Sequence, residues 1–180
     1  MKKIILATLL LAIAGPSFAQ KYMTRTAKVS FNATAPKSPE KIVGINNEVG
    51  TNIDINTGDI EFKILVKSFK FEREQMQQHF NENYMESGKF PKAEFKGKII
   101  NSADITFTKD GTYKATVTGT LTIHGVTQTV TVPGIITITG NEIIANAKFI
   151  IKLAEYKVPV DTDKLSKDAA ITVNAVFKLK

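Results

Sequence analysis

The sequence predicts an all-β protein, an eight-stranded antiparallel up-and-down barrel with one short helix after the third strand. Three observations carry this. Apolar and polar residues alternate over most of the chain, the period of half-buried strands. Short clusters rich in Asn, Asp and Gly separate the alternating segments, which makes consecutive strands antiparallel neighbours. Only between Glu72 and Met85 does the apolar spacing lengthen to four, as on one face of a helix. A meander of this kind loses its free edges most simply by closing on itself, and a two-sheet sandwich is the alternative.

The clearest strand pair is Tyr113 to Pro133. Ala115, Val117, Gly119, Leu121 and Ile123 alternate with threonines, His124-Gly125 interrupts, and Val126, Gln128, Val130 and Val132 alternate with threonines again. A two-residue loop ending in Gly suits a tight hairpin, because its turn needs positive φ. Pairing Ile123 with Val126 sets Leu121 opposite Gln128 and Gly119 opposite Val130, so both apolar rows share a face.

At the start of the chain, Lys2 and Lys3, the apolar run from Ile4 to Ala14 and Ser17-Phe18-Ala19 have the order of a secretory signal peptide. Residues 1–19 are therefore expected to be cleaved after Ala19, leaving residues 20–180 as one exported, periplasmic or secreted domain. The apolar run is too short to span a bilayer, and no Cys follows it to carry a lipid anchor. The absence of Cys also excludes disulfides, thiol chemistry and Cys-ligated metals. The formal net charge of +7 falls by two with the leader. Most remaining lysines alternate along strands (Lys28, Lys63, Lys67, Lys96, Lys98, Lys148, Lys152, Lys178), which describes a solvated outer wall and not a nucleic-acid surface.

The first strand presents Ala27, Val29, Phe31 and Ala33 inward; the second, Ile45, Val49, Ile53 and Ile55; the third, Ile60, Phe62, Ile64 and Val66. Met76, Phe80 and Tyr84 form the helical stripe, which Ser87-Gly88 and Pro91 end. Strands resume with Ala93, Phe95, Gly97 and Ile99, continuing after a break through Ile105 and Phe107. After the hairpin, Pro133-Gly134 bends the returning strand, and two further strands bury Ala145, Ala147, Phe149 and Ile151, then Ile171, Val173, Ala175, Phe177 and Leu179. The many small inward residues beside large aromatic ones fit either a long apolar cavity or a filled, tapering interior.

Catalytic signals are weak. His124 reads as a turn residue, and His79 lies one position off the helical stripe. A metal site from His79 with Glu82 or Glu86 lacks a closed ligand set. Asp161 and Asp163 read as solvated loop residues, and no nucleophile elbow or phosphate-cradling loop occurs. No enzyme activity, metal or cofactor is expected.

Two blocks resemble the YceI-like family. One runs from Gly119 to Thr127 (GTLTIHGVT) and the other from Met76 to Phe95, in which His79-Phe80-Asn81-Glu82-Asn83-Tyr84-Met85 leads to Gly88-Lys89-Phe90-Pro91-Lys92-Ala93-Glu94-Phe95. The resemblance covers about residues 22–180. It implies a small exported bacterial protein with a lipocalin-like barrel enclosing a polyisoprenoid or fatty-acid-like chain. Many members begin the first strand with Asp-x-x-His-Ser, where this chain has Thr26-Ala27-Lys28-Val29-Ser30-Phe31, without Asp or His. The expected ligand contacts are Phe31, Ile45, Phe62, Ile64, Met76, Phe80, Tyr84, Phe95, Gly119, Leu121, Ala147, Phe149 and Phe177. The helix stripe is expected to cover the barrel mouth and gate entry. The partner expected is a long-chain lipid, with no nucleic acid and no stable membrane insertion; a homodimer is an open alternative.

Overall fold

The computed structural model describes residues 21–160 and 165–178, so the leader, Asp161, Asp163 and Leu179 lie outside the described residues. The strands are β1 (Lys21–Thr34), β2 (Val43–Asp54), β3 (Asp59–Leu65), β4 (Lys92–Ile99), β5 (Gly111–Ile123), β6 (Val126–Thr139), β7 (Glu142–Lys152) and β8 (Leu165–Lys178). They close in chain order into one barrel in which β8 returns to β1 and every neighbour is antiparallel. Helix α1 (Glu74–His79) lies between β3 and β4. The β5–β6 register is the one the hairpin pattern demands, from Ile123↔Val126 through Gly119↔Val130 to Gly111↔Ile138. His124 and Gly125 form its turn at φ +51° and +73°.

Alternation fails to give the facing at one place in β2. Asn46 opposes Val29 and Val49 opposes Ala27, so three steps along β2 match two along β1. One extra residue reverses every side chain beyond it. Gly44 and Asn46 therefore face inward on one side of the bulge, Val49, Thr51 and Ile53 on the other, and Ile45 turns outward, against the expectation. Buried Asn46 holds the bulge: its side-chain amide donates to the Leu65 carbonyl at 3.1 Å, and its oxygen accepts from the Glu48 amide at 2.9 Å. Ile45 instead exchanges two backbone hydrogen bonds with Lys70, tying the β3–α1 segment to β2.

One end of the barrel is filled. Ala27, Val49, Ile53, Ile143, Ala175 and Phe177 are wholly inaccessible there, and Ile105 and Phe107 pack against them. Ile105 and Phe107 do not continue a strand. A 3-10 turn at Ser102–Asp104 folds them across this end as part of its floor. Burying a Phe or Ile side chain contributes roughly 1.5–3 kcal/mol, so this packed end is a principal source of stability. The opposite end is the mouth, where β3 leads to α1. There the helix departs from its expected three regular turns. Residues Phe80–Tyr84 form a π turn closed by the Met85 amide donating to the Phe80 carbonyl at 2.9 Å. The wider turn brings Tyr84 and Met85 together to the barrel side.

After β7 a 3-10 turn, Leu153–Tyr156, buries Leu153 and Tyr156 beside Val158 and Leu165. Burial, and secondarily the carboxylate of Glu155, raises the Tyr156 phenol above its ordinary pKa of 10.0. The folded state thus holds the phenolic proton more tightly, and its contribution is complete below the unfolded phenol's pKa of about 10 and lost as pH rises through the folded value. In urea titrations above about pH 10 the midpoint should fall, and Tyr156→Phe should flatten that fall; equal slopes in both proteins would contradict it.

Gly97 and Gly119 are cross-strand partners. A Cβ on Gly119 would lie 2.3 Å from the Lys96 carbonyl oxygen, and one on Gly97 would lie 2.5 Å from the Phe95 ring. Gly119 therefore points at backbone and does not border open space. Gly119→Leu should lower the urea midpoint by the equivalent of ~1–3 kcal/mol. Gly88→Ala, with nothing within 4 Å of its would-be Cβ, should stay within ~0.5 kcal/mol. An unchanged midpoint for Gly119→Leu would refute the close approach.

Candidate functional site

The upper part of the barrel encloses a cavity of about 460 Å³. It begins above the floor at Ile99, Ala115 and Ile136, passes Phe62, Phe95, Ala147 and Phe149, and reaches Leu121, Leu153 and Leu165 near the mouth. From Ala115 to Ile123 a strand rises ~26 Å at ~3.3 Å per residue, or ~20 Å along a barrel axis inclined by ~40°. These walls are apolar because they are the inward rows of the strands. The small residues Ala33, Ala115, Ala145 and Ala147 border the space, whereas Ala27 and Ala175 belong to the packed floor. Both readings of the small residues hold, each at its own end of the barrel.

An aromatic cluster closes the mouth. Phe80 stacks on Phe31 with ring centroids 5.3 Å apart, and meets Phe69 at 5.7 Å and Phe71 at 4.9 Å. Phe31 also meets Phe69 edge-on at 5.4 Å. Such pairs contribute ~0.5–1.5 kcal/mol beyond the area they bury. Met76, Phe80, Tyr84 and Met85 all line the cavity from the helix side, so the stripe does lie over the mouth. Apart from Asn146 on β7, the polar lining gathers at this rim: Gln75 and His79 are exposed there, and Arg73 forms an ion pair with Glu40.

The set His79, Glu82 and Glu86 is not assembled. Glu82 accepts from Gln78, while Glu86 reaches His124 with Nε2 and Oε2 2.8 Å apart. His124 is buried in its turn, its Nδ1 is 3.3 Å from the Tyr156 carbonyl oxygen, and its ring meets Phe90 edge-on at 4.6 Å. Both hydrogen-bond neighbours are acceptors, so the ring donates to both when each nitrogen carries a proton. Glu86 adopts φ +41° here, unusual for a residue other than glycine, and so turns the chain from the helix toward the hairpin. These contacts fasten the end of the helical segment to the β5–β6 turn and to the segment after β7.

Of the residues expected to contact a ligand, Phe31, Phe62, Ile64, Met76, Phe80, Tyr84, Phe95, Leu121, Ala147 and Phe149 line this cavity. Three do not. Ile45 is turned outward by the bulge, Gly119 faces the β4 backbone, and Phe177 is sealed in the floor opposite Ile143. Sequence reading missed Phe69, Phe71 and Met85. The first two belong to a short alternation, Phe69-Lys70-Phe71, whose middle residue bridges to Ile45. Met85 is brought in by the π turn.

Among solved structures, a polyisoprenoid binding domain from Saccharophagus degradans, described as implicated in plant cell wall breakdown, is similar with a TM-score of 0.74 at 13% identity, covering 90% of this chain and 99% of that one. Burkholderia cenocepacia BcnA is similar with a TM-score of 0.67 at 22% identity, over 83% of this chain and 95% of its own. The YCEI protein of Campylobacter jejuni follows with a TM-score of 0.56 at 18% identity, over 100% of this chain and 99% of its own. At these identities the likeness concerns the fold. No curated protein sequence matches the chain. The model of the YceI-like domain matches residues 21–177, which is the whole barrel from β1 into β8, and the chain belongs to the YceI-like family.

Proposed function

We propose that this protein holds one long-chain apolar lipid, polyisoprenoid or fatty-acid-like, inside the barrel as a carrier or store. Residues 1–19 would act as the export signal and residues 20–180 as the single domain working in the periplasm or outside the cell. The observation that carries the reading is a cavity with predominantly apolar walls, whose polar lining, apart from Asn146, gathers at the rim where a head group would emerge. The named domain from Saccharophagus degradans supports the same ligand class. Removing ~10 methylenes from water contributes about 8 kcal/mol before ordering costs, enough for tight binding without any reactive group. Walls that present hydrocarbon where a substrate would lie support a binding role over a catalytic one.

The rival reading is a barrel whose outer wall does the work and whose interior is inert. Protein purified from its native compartment should release a long-chain lipid on solvent extraction, detected by mass spectrometry, and lipid-free protein should take one up from a chain-length series. Protein that carries none and takes up none would favour the rival.

Ala147 gives a second test, because it lines the cavity and is only half-buried. Ala147→Phe should cut lipid uptake at least ~tenfold while shifting the urea midpoint of lipid-free protein by less than the ~1–3 kcal/mol of an overpacked core. A large loss of stability without ligand would show that the space is not available.

A further inference from the structure

The barrel wall is not equally joined all round. The β6–β7 ladder runs only from Gly134↔Ala147 to Thr139↔Glu142, at the floor end. Toward the mouth, β6 continues through residues 126–133 and β7 through residues 148–152, and among these described residues no ladder pair links the two strands. At the far end the Gln128 side chain donates to the Glu155 carbonyl at 3.1 Å, and His124 in the preceding turn meets the Tyr156 carbonyl. The comparable gap between β2 and β3 is closed by the Lys70–Ile45 bridge and by Asn46 on Leu65. Among the described residues no such backbone bridge links β6 and β7 there.

Two further observations bear on this seam. Pro133, the last β6 residue before the ladder begins, has no N–H to offer a partner and so suits a strand edge. The cavity lining includes Ile135 and Asn146, which belong to the outward rows of β6 and β7. The lining thus reaches from Val132 and Phe149 on the inner face to Ile135 and Asn146, a ladder pair beside the seam.

The outer surface around the seam has a definite chemistry. Ile135 and Ile150 are large exposed apolar side chains, at 47% and 68% exposure. Lys148 is exposed on β7 beside Ile150, and Lys114 is exposed on β5 opposite Ile135. Neither forms an ion pair among the described residues, whereas Lys152 is held by Glu155 at 3.7 Å. Apolar side chains beside free cations match an anionic bilayer, whose head groups attract lysines and whose interior accepts isoleucine.

Resting on the lipid-carrier reading, we propose that the β6–β7 seam is a lateral portal, and that the barrel lies with this seam against an anionic membrane and passes the apolar chain through it. Sideways passage keeps the hydrocarbon out of water throughout, because the chain leaves apolar walls for acyl chains across one strand spacing. Exit past the helix-covered mouth would carry it through the polar rim.

Cysteine is absent from the chain, so a paired label is unambiguous. Thr131 and Ile150 are both exposed and would oppose each other if the β6–β7 register continued. Thr131→Cys/Ile150→Cys protein, stapled by a short bis-thiosulfonate and verified by mass, is loaded with cis-parinaric acid and mixed with phosphatidylglycerol vesicles carrying an energy acceptor. Stapling should slow transfer about tenfold or more, and reductant should restore it. Lys148→Glu/Ile150→Glu should slow transfer to these vesicles about tenfold while leaving affinity in vesicle-free buffer unchanged, because neither residue lines the cavity. Equal rates with and without the staple would overturn the portal, and transfer indifferent to the charge-reversed pair would overturn the membrane contact. Failure of the unmodified protein to bind the probe or any other long-chain lipid in buffer would instead remove the carrier reading, and the portal with it.

Discussion

Every feature of this molecule depends on one constraint: an eight-stranded closed barrel has an interior only about as wide as its own side chains can fill. Each inward position must either occupy that space or leave it. Phe177, Ile143 and Ile53 occupy it at one end, wholly buried, while Ala33, Ala115, Ala145 and Ala147 leave it free further up. Stability and capacity are thereby separated along the axis. The floor supplies the packed contacts, and the upper walls can remain apart without unfolding the protein.

The mouth answers a second demand, since an apolar cavity open to water would expose its walls. Phe80 meets that demand by joining Phe31 from β1 with Phe69 and Phe71 from the segment after β3, so one helical side chain ties three parts of the chain into the cover. The π turn that follows Phe80 broadens the cover by directing Met85 as well as Tyr84 inward. π turns are uncommon and recur at functional sites, where an extra residue is tolerated for the surface it presents.

Most of the fold was legible because alternation and turn chemistry are local. The β5–β6 hairpin could be registered residue by residue, and Phe31, Phe62, Phe95 and Phe149 follow from the period alone. What escaped depends on events that period cannot express. The β2 bulge adds a residue without changing composition, and only the polar run Asn46-Asn47-Glu48 hints at it; Ile45 was misplaced for that reason. Phe177 and Ala147 have the same inward facing, and their different surroundings become visible only once floor and mouth are distinguished. Gly119 looked like an opening in the wall but is a point of backbone contact. The Glu86–His124 contact joins residues 38 apart in sequence, and no pattern in either segment announces it.

The helical segment is fastened at both ends, but not equally. Near its start, Arg73 pairs with Glu40 in solvent, and an exposed pair of this kind contributes at most about 1 kcal/mol. Beyond its end, Glu86 is bound to a buried imidazole that is itself braced by a carbonyl and an aromatic edge. Before Arg73 the chain is held to β2 by the paired backbone hydrogen bonds between Lys70 and Ile45. The stretch from Phe71 to Gln75 is thus the part of the cover whose polar ties are exposed, while Tyr84 and Met85 sit beside the buried anchor.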